Sequence, residues 1–282
     1  MKKSSSFSSI DLDDIVGIAL EAGRAVMDIY EKDFEVEYKE DSSPLTEADL
    51  RANEIICSGL EKLWPEIPML SEENSEVSYD ERREWEFFWC IDPIDGTKEF
   101  IKKSGEFTIN IALVHKDTPV VGVVFAPALK EIYFSKKGSG AWKSSVNGDW
   151  SLNEDSRVRL SGDSKEGSFA EKKELVVVAS KSHLNEETKN FINSLEQDGS
   201  QISRISKGSS LKLLMVAEGT ADIYPRLGPT MEWDTAAADA IVRESGKMTY
   251  VADGVSILDD IERLSPLVYN KKNLLNPWFI VC

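Results

Sequence analysis

Cysteine and histidine, which build many functional sites, are scarce in this chain of 282 residues, which contains three cysteines and two histidines. The cysteines, at Cys57, Cys90 and Cys282, are too few and too widely spaced for a disulfide framework. Such sparse use of cysteine is typical of a reducing compartment. The histidines, His115 and His183, do not form the ligand cluster of a zinc site. The chain is therefore not organised by disulfides or by zinc.

Basic residues and long apolar runs are also in short supply. The chain has 33 lysines and arginines against 50 acidic residues, a net charge of −17, which argues against a general binder of nucleic acids or anionic membranes. Its longest apolar run, about Pro119–Leu129, is far shorter than the ~20 residues that span a bilayer. Residues 1–14 lack the apolar segment of a signal peptide. We therefore expect a cytoplasmic protein without an integral membrane segment, and peripheral association with the inner membrane stays open.

Three common motifs of nucleotide, ester and calcium chemistry are absent. Gly162 and Gly167 have the spacing of a phosphate-binding loop, but no lysine follows them. No two glycines lie four positions apart, which excludes the Gly-x-Ser-x-Gly turn of a serine hydrolase. If Gly96 is aligned with the glycine of a calcium-binding loop, Ile91 and Lys102 stand where carboxylates are required.

The hydrophobic pattern of the first half predicts two helices and then a β meander. Apolar residues recur at helical spacing in Ile15–Ile29 and again from Thr46 to Trp64, where Pro65 ends the second helix. Short β-branched or alternating segments follow, separated by turn residues. They predict antiparallel strands at Glu86–Ile94, Phe107–His115, Val120–Ala126 and Glu131–Lys136.

From about residue 152 strands alternate with helices, which is typical of an α/β arrangement. The length fits one large domain or two intimate halves, since a domain takes roughly 100–200 residues. We expect an α/β protein with an α+β half over residues 1–150, an α/β half over residues 151–282, and a loop-rich boundary near residues 144–173. The second half is predicted to contain strands at Leu175–Ala179, Ile202–Ile205 and Ala221–Tyr224, and helices at Glu186–Leu195, Leu211–Glu218 and Trp233–Ser245.

Four acidic features lie at the ends of predicted strands or the starts of predicted helices. Carboxylates in such places can converge on a hard cation, which prefers oxygen ligands. Asp92 and Asp95 can face one metal cluster from either side of a turn. Gly96 permits a close backbone approach, and Thr97 offers an N–H and a hydroxyl to a phosphate. In chain order the features are Thr46-x-x-Asp49, Ser71-Glu72-Glu73, Asp92-Pro-Ile-Asp95-Gly96-Thr97 and Trp233-Asp234.

Each acidic feature also has a purely structural interpretation when it is taken alone. Thr46-x-x-Asp49 has nearly the form of a helix capping box, and Asp234 suits a helix N-cap. The pair Glu72-Glu73 suits a solvated surface, and the segment from Asp92 to Gly96 suits a turn. Their joint occurrence in one chain favours a metal site over four unrelated structural features.

Two of these segments resemble the signature of the inositol monophosphatase superfamily of metal-dependent, lithium-sensitive phosphatases. That signature pairs Asp-Pro-x-Asp-Gly-Thr with a downstream Trp-Asp-x-x-Ala, and the chain has Asp92-Pro-Ile-Asp-Gly-Thr97 and Trp233-Asp-Thr-Ala-Ala237. The resemblance covers nearly the whole chain and implies the layered αβαβα sugar-phosphatase fold. Within the superfamily the chain most resembles the CysQ branch, the 3'(2'),5'-bisphosphate nucleotidases. The branch-type segments include Ser43-Pro-Leu-Thr-Glu-Ala-Asp49, Asp95-Gly-Thr-Lys-Glu-Phe-Ile101, Gly208-Ser-Ser-Leu-Lys212 and Tyr224-Pro-Arg-Leu-Gly-Pro-Thr230.

The resemblance implies a set of magnesium ligands. Glu72 would bind one ion together with Asp92 and the carbonyl oxygen of Ile94. Asp92, Asp95 and Asp234 would bind a second ion, and Asp234 would also lie beside the substrate. A third, looser ion is common in the family, so the resemblance implies two or three magnesium ions in each site.

The resemblance also implies catalytic and substrate-binding roles. Asp49 would accept a hydrogen bond from Thr97, which would orient the attacking water on the Glu72 side of the site. Gly96 and Thr97 would hold the scissile phosphate.

Four further positions match nucleotide contacts of the branch: His183, Ser209, Lys212 and Arg226. Each also has a structural alternative, since His183 suits a surface position, Ser209 suits a helix N-cap, and the two basic residues suit solvent.

Three functions remain open at this point. The leading one is a magnesium-dependent nucleotidase that converts adenosine 3',5'-bisphosphate (PAP) to AMP and phosphate in sulfate assimilation, and that also accepts the 5'-phosphosulfate PAPS. The alternatives are an inositol monophosphatase or broad sugar phosphatase, and a catalytically silent metal-binding protein. Lys212 and Arg226 discriminate between the two enzymes, because an inositol monophosphate has no second phosphate. The partner would be a small molecule, and the protein would be a monomer or a homodimer.

Overall fold

The structure, a computed structural model, describes residues 9–32, 36–38, 44–161, 174–180, 185–197, 201–252 and 263–282. The helices in these ranges are α1 (Leu12–Tyr30), α2 (Glu47–Leu63), α3 (Tyr79–Arg82), α4 (Thr97–Ile101), α5 (Glu186–Gln197), α6 (Leu211–Ala217) and α7 (Ala236–Glu244). The strands are β1 (Val36–Tyr38), β2 (Pro44–Thr46), β3 (Met69–Ser71), β4 (Phe87–Asp95), β5 (Thr108–His115), β6 (Thr118–Ala126), β7 (Glu131–Lys136), β8 (Ala141–Val146), β9 (Leu152–Leu160), β10 (Glu174–Ser180), β11 (Gln201–Lys207), β12 (Tyr224–Arg226), β13 (Thr249–Val251) and β14 (Phe279–Val281).

A seven-stranded sheet lies at the centre of the fold, with strand order β3-β4-β5-β6-β7-β8-β9. Only β3 and β4 pair in parallel, and every other neighbouring pair in this sheet is antiparallel. The strands from β4 to β7 follow one another in both the sequence and the sheet. The predicted antiparallel meander is therefore confirmed, and β3, β8 and β9 extend it.

Both faces of the central strands are buried, because helices cover each side of the sheet. On β4, Trp89 and Ile91 belong to the hydrophobic cluster formed with α1 and α2, whereas Phe88 and Cys90 belong to the cluster formed with α6 and α7. Alternate residues of a strand point to opposite faces, so the two helix pairs lie on opposite sides of the sheet. This arrangement explains why the strands are nearly continuous apolar runs.

The two predicted N-terminal helices are confirmed. Asp11 caps α1 by accepting a hydrogen bond from the N–H of Asp13 at 3.1 Å. Helix α2 begins directly after Thr46 and ends at Leu63, two residues before Pro65. Their apolar faces supply much of the cluster on one side of the sheet.

The C-terminal part of the chain adds two small sheets. Strands β10 and β11 pair in parallel and are joined through α5, as the alternating pattern predicts. Strand β14 lies between β12 and β13 and pairs with both in antiparallel fashion. A separate hydrophobic cluster, which includes Val177, Ile192 and Ile280, connects these sheets to α5.

The prediction of a loop over residues 144–173 is wrong for the part of this range that the structure describes. Strand β8 continues to Val146, and β9 pairs with β8 at the edge of the large sheet. The sequence of β9 resembles a loop because most of its side chains are partly or fully exposed, which polar residues tolerate at a sheet edge. The large sheet therefore extends past residue 150, where the boundary between the two halves was expected.

Two C-terminal elements are displaced from their predicted positions. The helix expected from Trp233 begins at Ala236, because the Glu232 carbonyl accepts the N–H groups of Thr235 and Ala236 in a preceding turn. The strand expected to end at Tyr224 begins there instead. None of the helices in the described ranges combines the length and the apolar composition that crossing a membrane requires.

Helix α7 packs directly against β6 at Gly122, which yields a prediction about stability. A Cβ atom at Gly122 would lie 2.1 Å from the Ala237 carbonyl oxygen and 2.9 Å from the Ala240 Cβ. We expect Gly122→Ala to lower the free energy of unfolding by about 1–3 kcal/mol, because the helix must move away from the sheet. Urea unfolding measures this change. Gly148→Ala is the control, since a Cβ there has no neighbour within 4 Å, and equal unfolding midpoints for the two variants would contradict the prediction.

Candidate functional site

A cleft with a volume of about 290 Å³ lies where the end of β4, the start of α4, the start of α6 and the segment before α7 meet. Asp49 lies beside it through a contact with Thr97. His183 lies outside the described residues. The predicted site residues that line the cleft are Glu72, Asp92, Ile94, Asp95, Gly96, Thr97, Ser209, Lys212, Arg226 and Asp234.

An irregularity at the end of β4 brings two aspartates to the cleft. The pairing of β4 with β5 shifts between Asp92 and Asp95. Asp92 accepts a hydrogen bond from the N–H of Ile94 at 3.1 Å, which closes the turn. Gly96 follows with φ of 93°, a left-handed conformation that favours glycine. Helix α4 then begins at Thr97.

Asp49 caps helix α2 and also contacts Thr97 at the edge of the cleft. Its Oδ2 accepts hydrogen bonds from the N–H of Thr46 at 2.9 Å and the hydroxyl of Thr46 at 2.6 Å, which completes a capping box for α2. Its Oδ1 accepts a hydrogen bond from the Thr97 hydroxyl at 3.2 Å. The capping interpretation and the implied Asp49–Thr97 contact are therefore both confirmed, through different oxygens. The Thr97 hydroxyl also lies 3.3 Å from the Ile94 carbonyl oxygen.

Ser209 contacts a predicted metal ligand in this structure. Its hydroxyl donates to Asp95 Oδ2 at 2.6 Å. The alternative that Ser209 caps α6 is wrong, because Ser210 is the N-cap residue. The Lys212 ammonium donates to the Ser209 carbonyl and lies 5.6 Å from the centre of the Tyr224 ring.

Asp234 is held by the turn that precedes α7. Its Oδ2 accepts a hydrogen bond from the N–H of Met231 at 2.9 Å. The alternative that Asp234 is the N-cap of α7 is wrong, because Thr235 has that position. The neighbouring Glu232 is fully buried and accepts hydrogen bonds from the Asn270 N–H at 2.6 Å and the Lys271 ammonium at 2.7 Å. No motif in the sequence indicated this supporting role of Glu232.

The electrostatics of the cleft are dominated by buried negative charge. Burial raises the pKa of Asp92 well above its ordinary value, and repulsion from Glu72 and Asp95 raises it further. Burial and the nearby Asp95 also raise the pKa of Asp234 to about 8. On the basic side, burial and the adjacent Arg226 lower the pKa of Lys212 to about 8, although Asp95 opposes this effect.

This chemistry fits a hard divalent cation. The candidate ligands are all oxygen atoms, which suits magnesium, and a cation would relieve the repulsion among the buried carboxylates. In the part of the chain that the structure describes, no three acidic, histidine or cysteine side chains lie close enough to enclose an ion as they stand. Asp92, Asp95 and Asp234 each accept a hydrogen bond from the protein. A bound ion would draw these carboxylates closer together than they lie here.

Several cleft residues were not expected from the sequence. Lys98 and Glu99 on α4, Tyr224 on β12 and Phe279 on β14 all line it. Lys98 and Glu99 stand within the quoted Asp-Gly-Thr-Lys-Glu-Phe segment, so the motif itself contained the signal. For Phe279 no sequence signal was available, because it reaches the cleft only through the pairing of β14 with β12.

Comparison with known proteins adds relatives of this chain. The sequence profile described as the inositol monophosphatase family matches residues 11–277. A protein named 3'(2'),5'-bisphosphate nucleotidase CysQ from Salmonella typhimurium is 40% identical over 272 residues, which are 96% of this chain and 98% of that protein. The crystal structure of CysQ from Bacteroides thetaiotaomicron has a TM-score of 0.80 and 42% identity, over 96% of each chain. An IMPase structure from Thermotoga maritima, 24% identical over 96% of this chain and 91% of its own, has a TM-score of 0.69 and shares the fold.

Without divalent ions, the buried carboxylates should make the protein less stable as the pH rises. The pKa of Asp234 is about 8 in the folded protein, against 3.8 for an ordinary aspartate, so the folded state keeps a proton that the unfolded chain releases. In EDTA, the free energy of unfolding should therefore fall as the pH rises from about 4 to about 8. Asp92→Asn should make this fall shallower and raise the melting temperature at the upper end, because it removes one of the mutually repelling charges.

Thermal unfolding in EDTA at several pH values measures both effects. Asp155→Asn is the matched control, because Asp155 is exposed on β9 and its removal leaves the cleft unchanged. If Asp92→Asn and Asp155→Asn had the same pH profile as the wild-type protein, the electrostatic description of the cleft would be wrong.

Proposed function

Because this chain belongs to the inositol monophosphatase family and a basic pair lines the same cleft as the carboxylates, we propose that it is a 3'(2'),5'-bisphosphate nucleotidase. It would use magnesium to remove the 3'-phosphate of PAP, and it would also convert PAPS to adenosine 5'-phosphosulfate. The reaction would belong to sulfate assimilation in the cytoplasm. The relatives named CysQ support the nucleotidase class, at about 40% identity over nearly the whole chain.

One observation favours a substrate with two phosphates. Lys212 and Arg226 line the same cleft as the acidic cluster, and the Nε of Arg226 is buried without a hydrogen-bond partner in the described part of the chain. A buried donor that no protein atom satisfies is costly unless a ligand or water completes it. The planar guanidinium can bind a phosphate through two parallel hydrogen bonds. We assign this pair to the 5'-phosphate, which an inositol monophosphate lacks.

The carboxylates would hold the metal ions. Glu72, Asp92 and the Ile94 carbonyl form one candidate ligand set, and Asp92, Asp95 and Asp234 form the other, with a third ion bound more loosely. When bound, such ions would lower the pKa of a water nucleophile and stabilise the charge of the leaving oxygen.

The protein groups around the ions would orient the reactants. The Thr97 hydroxyl donates to Asp49, so its oxygen keeps lone pairs that can accept a hydrogen bond from the attacking water. The first N–H groups of a helix have no partner within it, and those of Gly96 and Thr97 would bind the scissile phosphate. Asp49 is itself fixed by α2, so the water would be aligned by a rigid element rather than by a loop.

The net charge of −17 does not prevent this substrate from binding. At physiological salt, charges beyond about 8 Å are screened. Inside the cleft, Lys212, Arg226 and the bound cations would reverse the local sign of the charge.

The direct test compares phosphate release from PAP and from inositol 1-phosphate. With magnesium we expect a strong preference for PAP, and with EDTA we expect both activities to be lost, because the carboxylates alone cannot activate water. A malachite-green assay measures released phosphate from each substrate. Equal release from the two substrates, or faster release from inositol 1-phosphate, would indicate an inositol or sugar phosphatase instead. Absence of release from both would favour a silent metal-binding protein.

A second prediction concerns the 5'-phosphate. Arg226→Ala should raise KM for PAP by about 10-fold or more, because a charge-assisted contact is worth about 1.5–3 kcal/mol. KM for a simple monophosphate such as 3'-AMP should change little, because it has no phosphate at that position. Steady-state kinetics with both substrates provide the comparison.

Arg204→Ala is the control for loss of a positive charge. Arg204 pairs with Glu196 at 2.8 Å and is exposed on β11, away from the residues that line the cleft. If Arg226→Ala changed KM for PAP and KM for 3'-AMP equally, Arg226 would not bind the 5'-phosphate as proposed.

A further inference from the structure

A row of polar side chains at the start of β5 holds the loop that precedes α6. Glu106, Thr108 and Asn110 are alternate residues, and alternate residues of an extended segment face the same side. Glu106 Oε2 accepts a hydrogen bond from the N–H of Gly208 at 3.0 Å. A Cβ at Gly208 would lie only 2.8 Å from the Glu106 carbonyl oxygen, so the loop is packed closely against the strand.

Thr108 is the central member of this row. Its side chain is fully buried, and its Oγ1 lies 2.5 Å from the Ser209 hydroxyl and 2.8 Å from the Ser210 hydroxyl. The strand register places Thr108 directly opposite Asp95 and places Asn110 opposite Asp92. The residues that contact the loop therefore lie beside the predicted metal ligands.

The donor in the contact between Thr108 and Ser209 can be assigned. The Ser209 hydroxyl donates to the Asp95 carboxylate at 2.6 Å, and the Ser210 hydroxyl donates to Asn110 Oδ1 at 3.0 Å. A hydroxyl has a single hydrogen, so Ser209 has none left for Thr108. In the contact between Thr108 and Ser209 the Thr108 hydroxyl is therefore the donor. In this way Thr108 fixes the direction in which Ser209 donates.

The backbone of Ser209 shows that these contacts constrain the loop. Its φ is 53°, in the left-handed region that residues other than glycine seldom adopt. Such a conformation persists only where the surroundings hold it in place. The contacts with Thr108, Asp95 and Lys212 supply that restraint.

We propose that Thr108 is a positioning residue of the metal site, because its hydroxyl orients Ser209 so that Ser209 fixes the Asp95 carboxylate. This inference rests on the proposed metal-binding role of Asp95. It adds a residue that does not line the cleft and that contacts no substrate atom. Partners that orient a ligand from behind typically change metal affinity about 10–100-fold when they are removed.

The test measures metal binding in the absence of substrate. Thr108→Val keeps the shape of the side chain and removes the hydroxyl, and it should raise the Kd for Mn²⁺ about 10-fold or more. Thr108→Ser keeps the hydroxyl, so its Kd should stay close to the wild-type value. Electron paramagnetic resonance of free Mn²⁺, titrated against the full-length protein without nucleotide, gives each Kd.

Thr249→Val is the matched control. Thr249 is also fully buried, but its hydroxyl has no hydrogen-bond partner in the described part of the chain. Its replacement by valine should leave Mn²⁺ binding unchanged. A Thr108→Val protein that binds Mn²⁺ as tightly as the wild type would overturn the inference, and so would a Thr108→Ser protein that is weakened as much as Thr108→Val.

A second variant keeps the inference testable if Thr108→Val does not fold. Ser209 is only partly buried, and Ser209→Ala removes the hydroxyl that reaches Asp95. It should weaken Mn²⁺ binding to the same extent, and adding Thr108→Val to it should cause little further loss, because both act through one contact. Additive losses would show that Thr108 does not act through Ser209. A wild-type protein that binds no Mn²⁺ would instead overturn the metal assignment itself.

Discussion

The constraint on which this structure depends is the cost of placing several carboxylates in one buried cleft. Burial disfavours the charged form of each aspartate, and the neighbouring charges repel one another, as the raised pKa values of Asp92 and Asp234 show. The fold opposes this cost with a large apolar sheet that is covered by helices on both faces. It also gives each aspartate a hydrogen-bond donor from the protein. A cation would complete the arrangement by adding positive charge to that of Lys98, Lys212 and Arg226, which line the cleft.

Polar contacts between distant segments hold the cleft together. The loop before α6 is attached to β5 through Thr108 and Asn110, and the segment before α7 is attached to Asn270 and Lys271 through Glu232. Each contact is largely buried, so it gains directional strength from the low local dielectric. The geometry of the site therefore depends on groups that do not line the cleft.

The sequence predicted those parts of the structure that follow from local patterns. The period of α1, the capping box of Thr46 and Asp49, and the turn around Gly96 are all short-range features, and all are present. The signature motifs also predicted several of the side chains that line the cleft, among them Asp92, Asp95 and Asp234. The sequence did not predict β9, because an exposed edge strand has the composition of a loop. It did not predict Glu232, Thr108 or Phe279 either, because their partners lie far away in the chain and only tertiary packing brings them together.

The position of β14 in its small sheet has a consequence for the order in which parts of the molecule can fold. This strand, Phe279–Val281, lies between β12 and β13, so neither of those strands has its partner in this sheet until residues 279–281 are in place. Lys271 and Asn270, which anchor Glu232 beside Asp234, also follow all strands of the large sheet in the chain. The large sheet can form much earlier, since all of its strands precede residue 161. A chain in which the large sheet has formed but β14 is not yet in place would therefore still have an incomplete cleft.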